Sequence, residues 1–181
     1  TVSSNSGGEN GGGIFLYECL DMLFVNNIVS SNLATTSGGG GFLLWASSDV
    51  SLSNNTVYDN EANFGGGALL DTCSDISLSK NILDRNKAGI GAGVYGITVQ
   101  RVMLTNDVIQ NNVAATDGGG LSLHSCTGEV HSVLISGNSA TEGNGGGIAV
   151  ESTYDLIFIM CIISTNYASS NGGGIFISGD V

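Results

Sequence analysis

The sequence predicts an all-β fold, a right-handed parallel β-helix with three strands per coil and about 27 residues per coil. Three observations predict it. Glycine clusters recur at a near-constant interval, an Asn-x-Ala marker keeps step with them, and apolar residues alternate with polar ones in between. Residues 1–181 read as one solenoid segment of six to seven coils and as a section of a longer repeat protein.

The glycine clusters end at Gly13, Gly41, Gly67, Gly93, Gly120, Gly147 and Gly174, in steps of 26 to 28 residues. The second marker recurs as Asn32/Ala34, Asn60/Ala62, Asn86/Ala88, Asn112/Ala114, Asn138/Ala140 and Asn166/Ala168. From last glycine to asparagine the distance is 19 residues in five coils and 18 in the fifth; from alanine to the next last glycine it varies from 5 to 7. Each coil therefore has a wall of fixed length and one elastic turn, the place for external loops.

The first strand follows the glycines, with apolar pairs such as Ile14/Leu16, Phe42/Leu44, Leu121/Leu123 and Ile148/Val150. A second alternating pair follows, as in Val50/Leu52, Ile76/Leu78 and Val102/Leu104. A third apolar patch precedes each asparagine, as in Ile82-Leu83 and Val108-Ile109. A period of two is a strand signal, and a coil this short has no room for helices as well. One coil cannot bury its own inner face, but coils stacked about 4.8 Å apart share a continuous core.

Residues at one coil position stack into columns. The glycine column fits positive φ or close backbone approach. The asparagines Asn32, Asn60, Asn86, Asn112, Asn138 and Asn166 are expected to form an inward structural ladder, each amide bonded above and below. The alanines mark a tight corner.

Composition narrows the function. With 29 glycines but 41% hydrophobic residues, the chain can bury a core, so its glycines do not signal disorder. The absence of proline suits a backbone whose N–H groups mostly donate to ladders. A net charge of −12, from 16 acids and 4 bases, excludes nucleic acid as a partner. No apolar run is long enough to span a membrane. An acidic surface fits an extracellular or cell-surface setting.

The glycine-glycine-small motif appears as Gly12-Gly13-Ile14, Gly40-Gly41-Phe42 and Gly66-Gly67-Ala68. A hydrophobic-x-x-Asn motif appears as Val29-Ser30-Ser31-Asn32, Val57-Tyr58-Asp59-Asn60, Leu83-Asp84-Arg85-Asn86, Ile109-Gln110-Asn111-Asn112, Ile135-Ser136-Gly137-Asn138 and Ile163-Ser164-Thr165-Asn166. Together they resemble the repeats of polymorphic outer-membrane proteins and autotransporter-type adhesins, with aliphatic residues where that family prefers phenylalanine. The resemblance covers the whole chain. It implies a pectin-lyase-like β-helix and a structural or adhesive rod at a cell surface.

Asp21, Asp49 and Asp75 share the position eight residues past the last glycine, Arg101 takes it in the fourth coil, and Asp155 returns to it. They read as turn carboxylates, with Arg101 pairing Asp75. Calcium held by Asp21, Asp49 and Asp75 is the alternative, and the only metal or cofactor the sequence suggests.

No catalytic residues stand out. β-Helical lyases and hydrolases resemble this fold, but here no pair of carboxylates adjoins a base on the outward strand face; His124 and Glu151 read as a surface polar pair.

Seven outward residues, Phe15, Tyr17, Leu43, Trp45, Leu69, Tyr95 and Ile97, form an apolar stripe where a solvated face should be polar. The stripe is expected either to lie under another part of the chain or to contact a partner. That partner would be another protein chain, a second copy, or sugar rings stacking on Tyr17 and Trp45.

Cys19, Cys73 and Cys126 share a position in separated coils, and Cys161 occupies another, so no disulfide is expected within the segment. Asn54-Asn55-Thr56 is an N-glycosylation sequon.

Overall fold

The computed structural model describes residues 1–179, and among them there is no helix. Three parallel sheets run the length of a solenoid. The first contains Ile14–Tyr17, Phe42–Trp45, Ala68–Asp71, Val94–Ile97, Leu121–His124, Ile148–Glu151 and Ile175–Ser178. The second runs from Leu23–Val25 through Ser48–Ser53, Ser74–Ser79, Gln100–Thr105 and Gly128–His131 to Leu156–Ile159. The third runs from Val2–Ser3 through Ile28–Ser30 and its successors to Ile162–Ser164. Each strand pairs one coil on and in step, as in Ala68↔Phe42, Ile76↔Val102 and Leu83↔Ile109. The three-stranded coil expected from the sequence is therefore the coil observed. A short fourth ladder is added to it at the Asn-x-Ala marker, as in Lys87–Ala88 against Val113–Ala114.

The inward columns make one core. Phe42, Leu44, Leu70, Ile76, Leu83, Leu104, Ile109, Leu123 and Ile135 are fully buried. Each such side chain stabilises the fold by about 1.5–3 kcal/mol relative to exposure.

Corners are made by single residues in the left-handed region. Glu18, Ala46 and Thr72 form one column of them; Asp21, Asp49, Asp75 and Arg101 a second; Asn26, Asn54, Lys80 and Asn106 a third; Ser31, Asp59, Arg85 and Asn111 a fourth, with φ between 49° and 60°. Left-handed backbone costs an L-residue roughly 1–2 kcal/mol, and Asp and Asn tolerate it best. The aspartate column is thus a corner column.

Asparagine ladders brace these corners from inside. Asn5, Asn32, Asn60, Asn86, Asn112, Asn138 and Asn166 are joined so that the main-chain N and Nδ2 of each donate to Oδ1 of the next at 2.9–3.1 Å. The other Nδ2 hydrogen goes to a carbonyl of the preceding coil, as from Asn86 to Val57 O at 3.0 Å. Every polar atom of a buried amide is used, which removes the cost of burying it.

A second ladder, not read from the sequence, joins Asn27, Asn55, Asn81 and Asp107 at the corner between the second and third sheets. Between the first and second sheets, Cys19, Ser47, Cys73, Val99, Cys126 and Thr153 share a column; Cys19 N donates to Ser47 Oγ at 3.1 Å. All four cysteines are free, and burial pushes the Cys126 thiol up to about 11.

The fifth coil is one residue short at the start of its second strand. Val102 pairs with Gly128, so Gly128 occupies an inward place, with φ 138° and no room for a Cβ against Val102 O. This accounts for the 18-residue spacing of that coil.

Candidate functional site on the outer face of the first sheet

Two outward columns line this face. One holds Phe15, Leu43, Leu69, Tyr95, Ser122, Ala149 and Phe176; the other holds Tyr17, Trp45, Asp71, Ile97, His124, Glu151 and Ser178. The elastic turn folds down over the first of them, and a glycine makes that approach feasible. Gly91 has φ 60°, and a Cβ on it would lie 2.6 Å from Tyr95 Cβ. The last glycine of each cluster serves a different need: a Cβ on Gly67 would meet Gly93 O at 2.5 Å. Close approach therefore marks both glycine columns, whereas positive φ marks only the first.

The consequence divides the stripe read from the sequence between covered and open residues. Leu43 and Leu69 are only 4% and 7% exposed, because Gly38 of one elastic turn lies against the Leu43 side chain and Gly65 of the next lies against the Leu69 main chain. Neither belongs to an open contact surface. Tyr95 and Ile97 are half-buried, and the Phe64 ring lies 6.0 Å from that of Tyr95. Burial raises the Tyr95 phenol above its ordinary value, and the Cys126, Glu151 and Asp71 charges add to the rise.

Phe15, Tyr17 and Trp45 remain exposed at the first two coils. The Tyr17 and Trp45 rings are 5.0 Å apart and tilted by 55°, with Phe15 6.3 Å from Tyr17. A hydrogen bond with Glu18 raises the Tyr17 phenol. Trp45 also borders a depression of about 230 Å³ shared with Leu43, Phe64, Leu69 and Asp71.

The later coils present a different surface. Here a groove of about 210 Å³ lies between the turn and the strands, lined by Tyr95, Asp117, Ser122, His124, Asn144 and Glu151 among others. His124 Nδ1 lies 3.3 Å from Glu151 Oε2. Asn144 donates from N and Nδ2 to Asp117 Oδ1, and Asn171 donates likewise to Asn144 Oδ1. Phe64, Asp117 and Asn144 escaped the sequence reading because the turn varies in length. Counting back three from each last glycine aligns them.

The remaining candidates lie elsewhere. Asp21 and Asp49 are exposed corner residues. Arg101 binds both carboxylate oxygens of Asp75 and holds that carboxyl below its ordinary value. Among the described residues no group of three or more His, Cys, Asp or Glu side chains converges as a metal site. The calcium reading of Asp21, Asp49 and Asp75 therefore has no coordinating geometry behind it. Asn54 is an exposed corner, followed by the buried ladder residue Asn55. Among the described residues, no helix is long and apolar enough to cross a membrane.

A family model described as a right-handed beta helix region matches residues 1–127. A search of the curated proteins found no match, and neither did a search of the solved structures. With most of its length matched by the family model and parallel coils throughout the described residues, the chain belongs to the right-handed β-helix family.

Proposed function

We propose that the chain is a rigid rod section of an extracellular surface or filament protein and makes adhesive contact through Phe15, Tyr17 and Trp45. One observation carries this reading: three aromatic side chains stay exposed on a rigid strand face whose neighbours Leu43 and Leu69 are roofed by the turn. Aromatic side chains held rigidly lose little entropy on binding and are enriched at contact hot spots. The repeat resemblance to polymorphic outer-membrane and autotransporter-type adhesins supports a surface location and a non-catalytic role. The partner in this reading is another protein chain, a copy of this one included.

The test is the double substitution Tyr17→Ala and Trp45→Ala, read by melting temperature and by sedimentation with cell-surface extracts. Unchanged melting with lost association supports the proposal; unchanged association removes it.

The polar groove favours a second reading, a carbohydrate-binding or polysaccharide-processing surface, since carboxylates beside Tyr95 suit a sugar ring. A glycan array and an assay for cleaved polysaccharide separate it from the first.

A further inference from the structure

The two asparagine ladders end differently. In the second one, the Asn27, Asn55 and Asn81 side chains each pass donors to the next rung, and Asn81 passes its own to Asp107. Asp107 accepts from Asn81 N at 2.7 Å, Asn81 Nδ2 at 2.9 Å and Thr105 N at 3.1 Å. An ionised carboxylate has no hydrogen to pass onward. The equivalent place in the fifth coil is Val133, which is buried and offers no polar side-chain atom. The same junction is where the fifth coil lacks a corner residue and Gly128 fills an inward place. A single acid thus sits buried at the end of the ladder, between the same two coils whose repeat breaks at the opposite end of the second strand.

We propose that the junction between the fourth and fifth coils is a pH-sensitive joint in which protonation of Asp107 tightens the stack and ionisation loosens it. The ionisable side chains on the segments packed around Asp107 are Lys80, Asp84 with its partner Arg85, and His131. Lys80 and Arg85 are exposed, His131 is half-exposed, and Asp84 is bonded to Arg85 and Asn111. None of them supplies a charge that offsets the buried carboxylate. Burial pushes the Asp107 carboxyl up to about 6 from 3.8, against the lowering effect of its Asn81 and Thr105 hydrogen bonds. A raised carboxyl binds its proton more tightly in the folded chain than in the unfolded one. Its contribution therefore favours the fold below about pH 4 and is lost as pH rises through about 6.

The experiment is a carbon-13 carboxyl titration of the chain, with amide exchange followed at pH 5 and pH 7.5 and corrected for intrinsic rates. Asp107 is expected to titrate near 6, with added protection at acid pH confined to Val108–Gln110 and Leu134–Ser136. In denaturant, the unfolding constant of the wild type relative to Asp107→Asn should fall on the order of 100-fold from pH 8 to pH 4. A carboxyl midpoint near 4 overturns the proposal. Equal gains in protection across all coils also overturn it, because they describe a stability change without a joint. The titration decides the matter even if the variant fails to fold.

Discussion

The outward column that begins at Phe15 and the one that begins at Tyr17 lie two residues apart on the same strands. In the second and third coils the first lies under the elastic turn, whereas the second stays at least partly exposed. Leu43 and Trp45 show the contrast on one strand, at 4% and 41% exposure. The difference teaches that this solenoid has a second, thin apolar layer outside its walls, between sheet and turn. Exposure on the outer face depends on the turn above a residue, and strand alternation alone does not assign it.

The largest effect should come from charging the roofed column. Leu43→Asp buries a carboxylate without a partner and should cost more than about 4 kcal/mol in urea denaturation, or unfold the chain. Trp45→Asp on the same strand should stay within about 1 kcal/mol. Equal losses would mean that no roof exists.

Lifting the roof from the other side should cost less. Gly91→Ala forces a side chain into left-handed backbone and against Tyr95, for an expected loss of about 1–3 kcal/mol by thermal or chemical melting. Phe64→Ala removes part of the roof itself, and a loss of about 1–2 kcal/mol is expected. It should also bring the Tyr95 phenol down toward 10.0, because burial is the main cause of its rise. Ring-carbon NMR during an alkaline titration reads that shift, and an unmoved midpoint would show that Phe64 does not shield Tyr95.

The smallest effect belongs to the open column. His124→Gln breaks a contact whose partners are 38% and 63% exposed, and solvent screening should keep the loss near or below about 0.5 kcal/mol. A loss comparable to that of Leu43→Asp would place His124 under the roof as well.

Much of this was legible in the sequence, for a specific reason. Every coil asks the same thing of the same position, so Asn60, Asn86 and Asn112 repeat in step and announce a column. The second ladder was harder to read. Its rungs change from asparagine to Asp107, and Val133 and Cys161 follow in the same column, so the run of identical residues stops after Asn81. The aspartate column was legible as a column of turn carboxylates with Arg101 pairing Asp75, with calcium as the alternative. That each of these turns is a left-handed corner shows only in the backbone of Asp21, Asp49 and Asp75.

The stripe was read as outward, either covered by another part of the chain or free to meet a partner, and the structure divides it between covered and exposed residues. Phe15, Tyr17 and Trp45 are exposed, while Leu43 and Leu69 lie beneath residues of a turn whose path the repeat does not encode. The short coil left a trace in the spacing, yet the loss of a corner at Gly128 appeared only in the strand register.

The sequence by itself determined the stacked coil with its three strands, its glycine and asparagine columns and its acidic, proline-free surface. These follow from period-two alternation and from backbone demands repeated at fixed intervals. Only the tertiary structure decided which outward residues are covered and where a buried acid interrupts the stack. Both depend on how a turn of variable length, or a single substituted rung, meets the neighbouring coil, and a one-dimensional period carries no record of that contact.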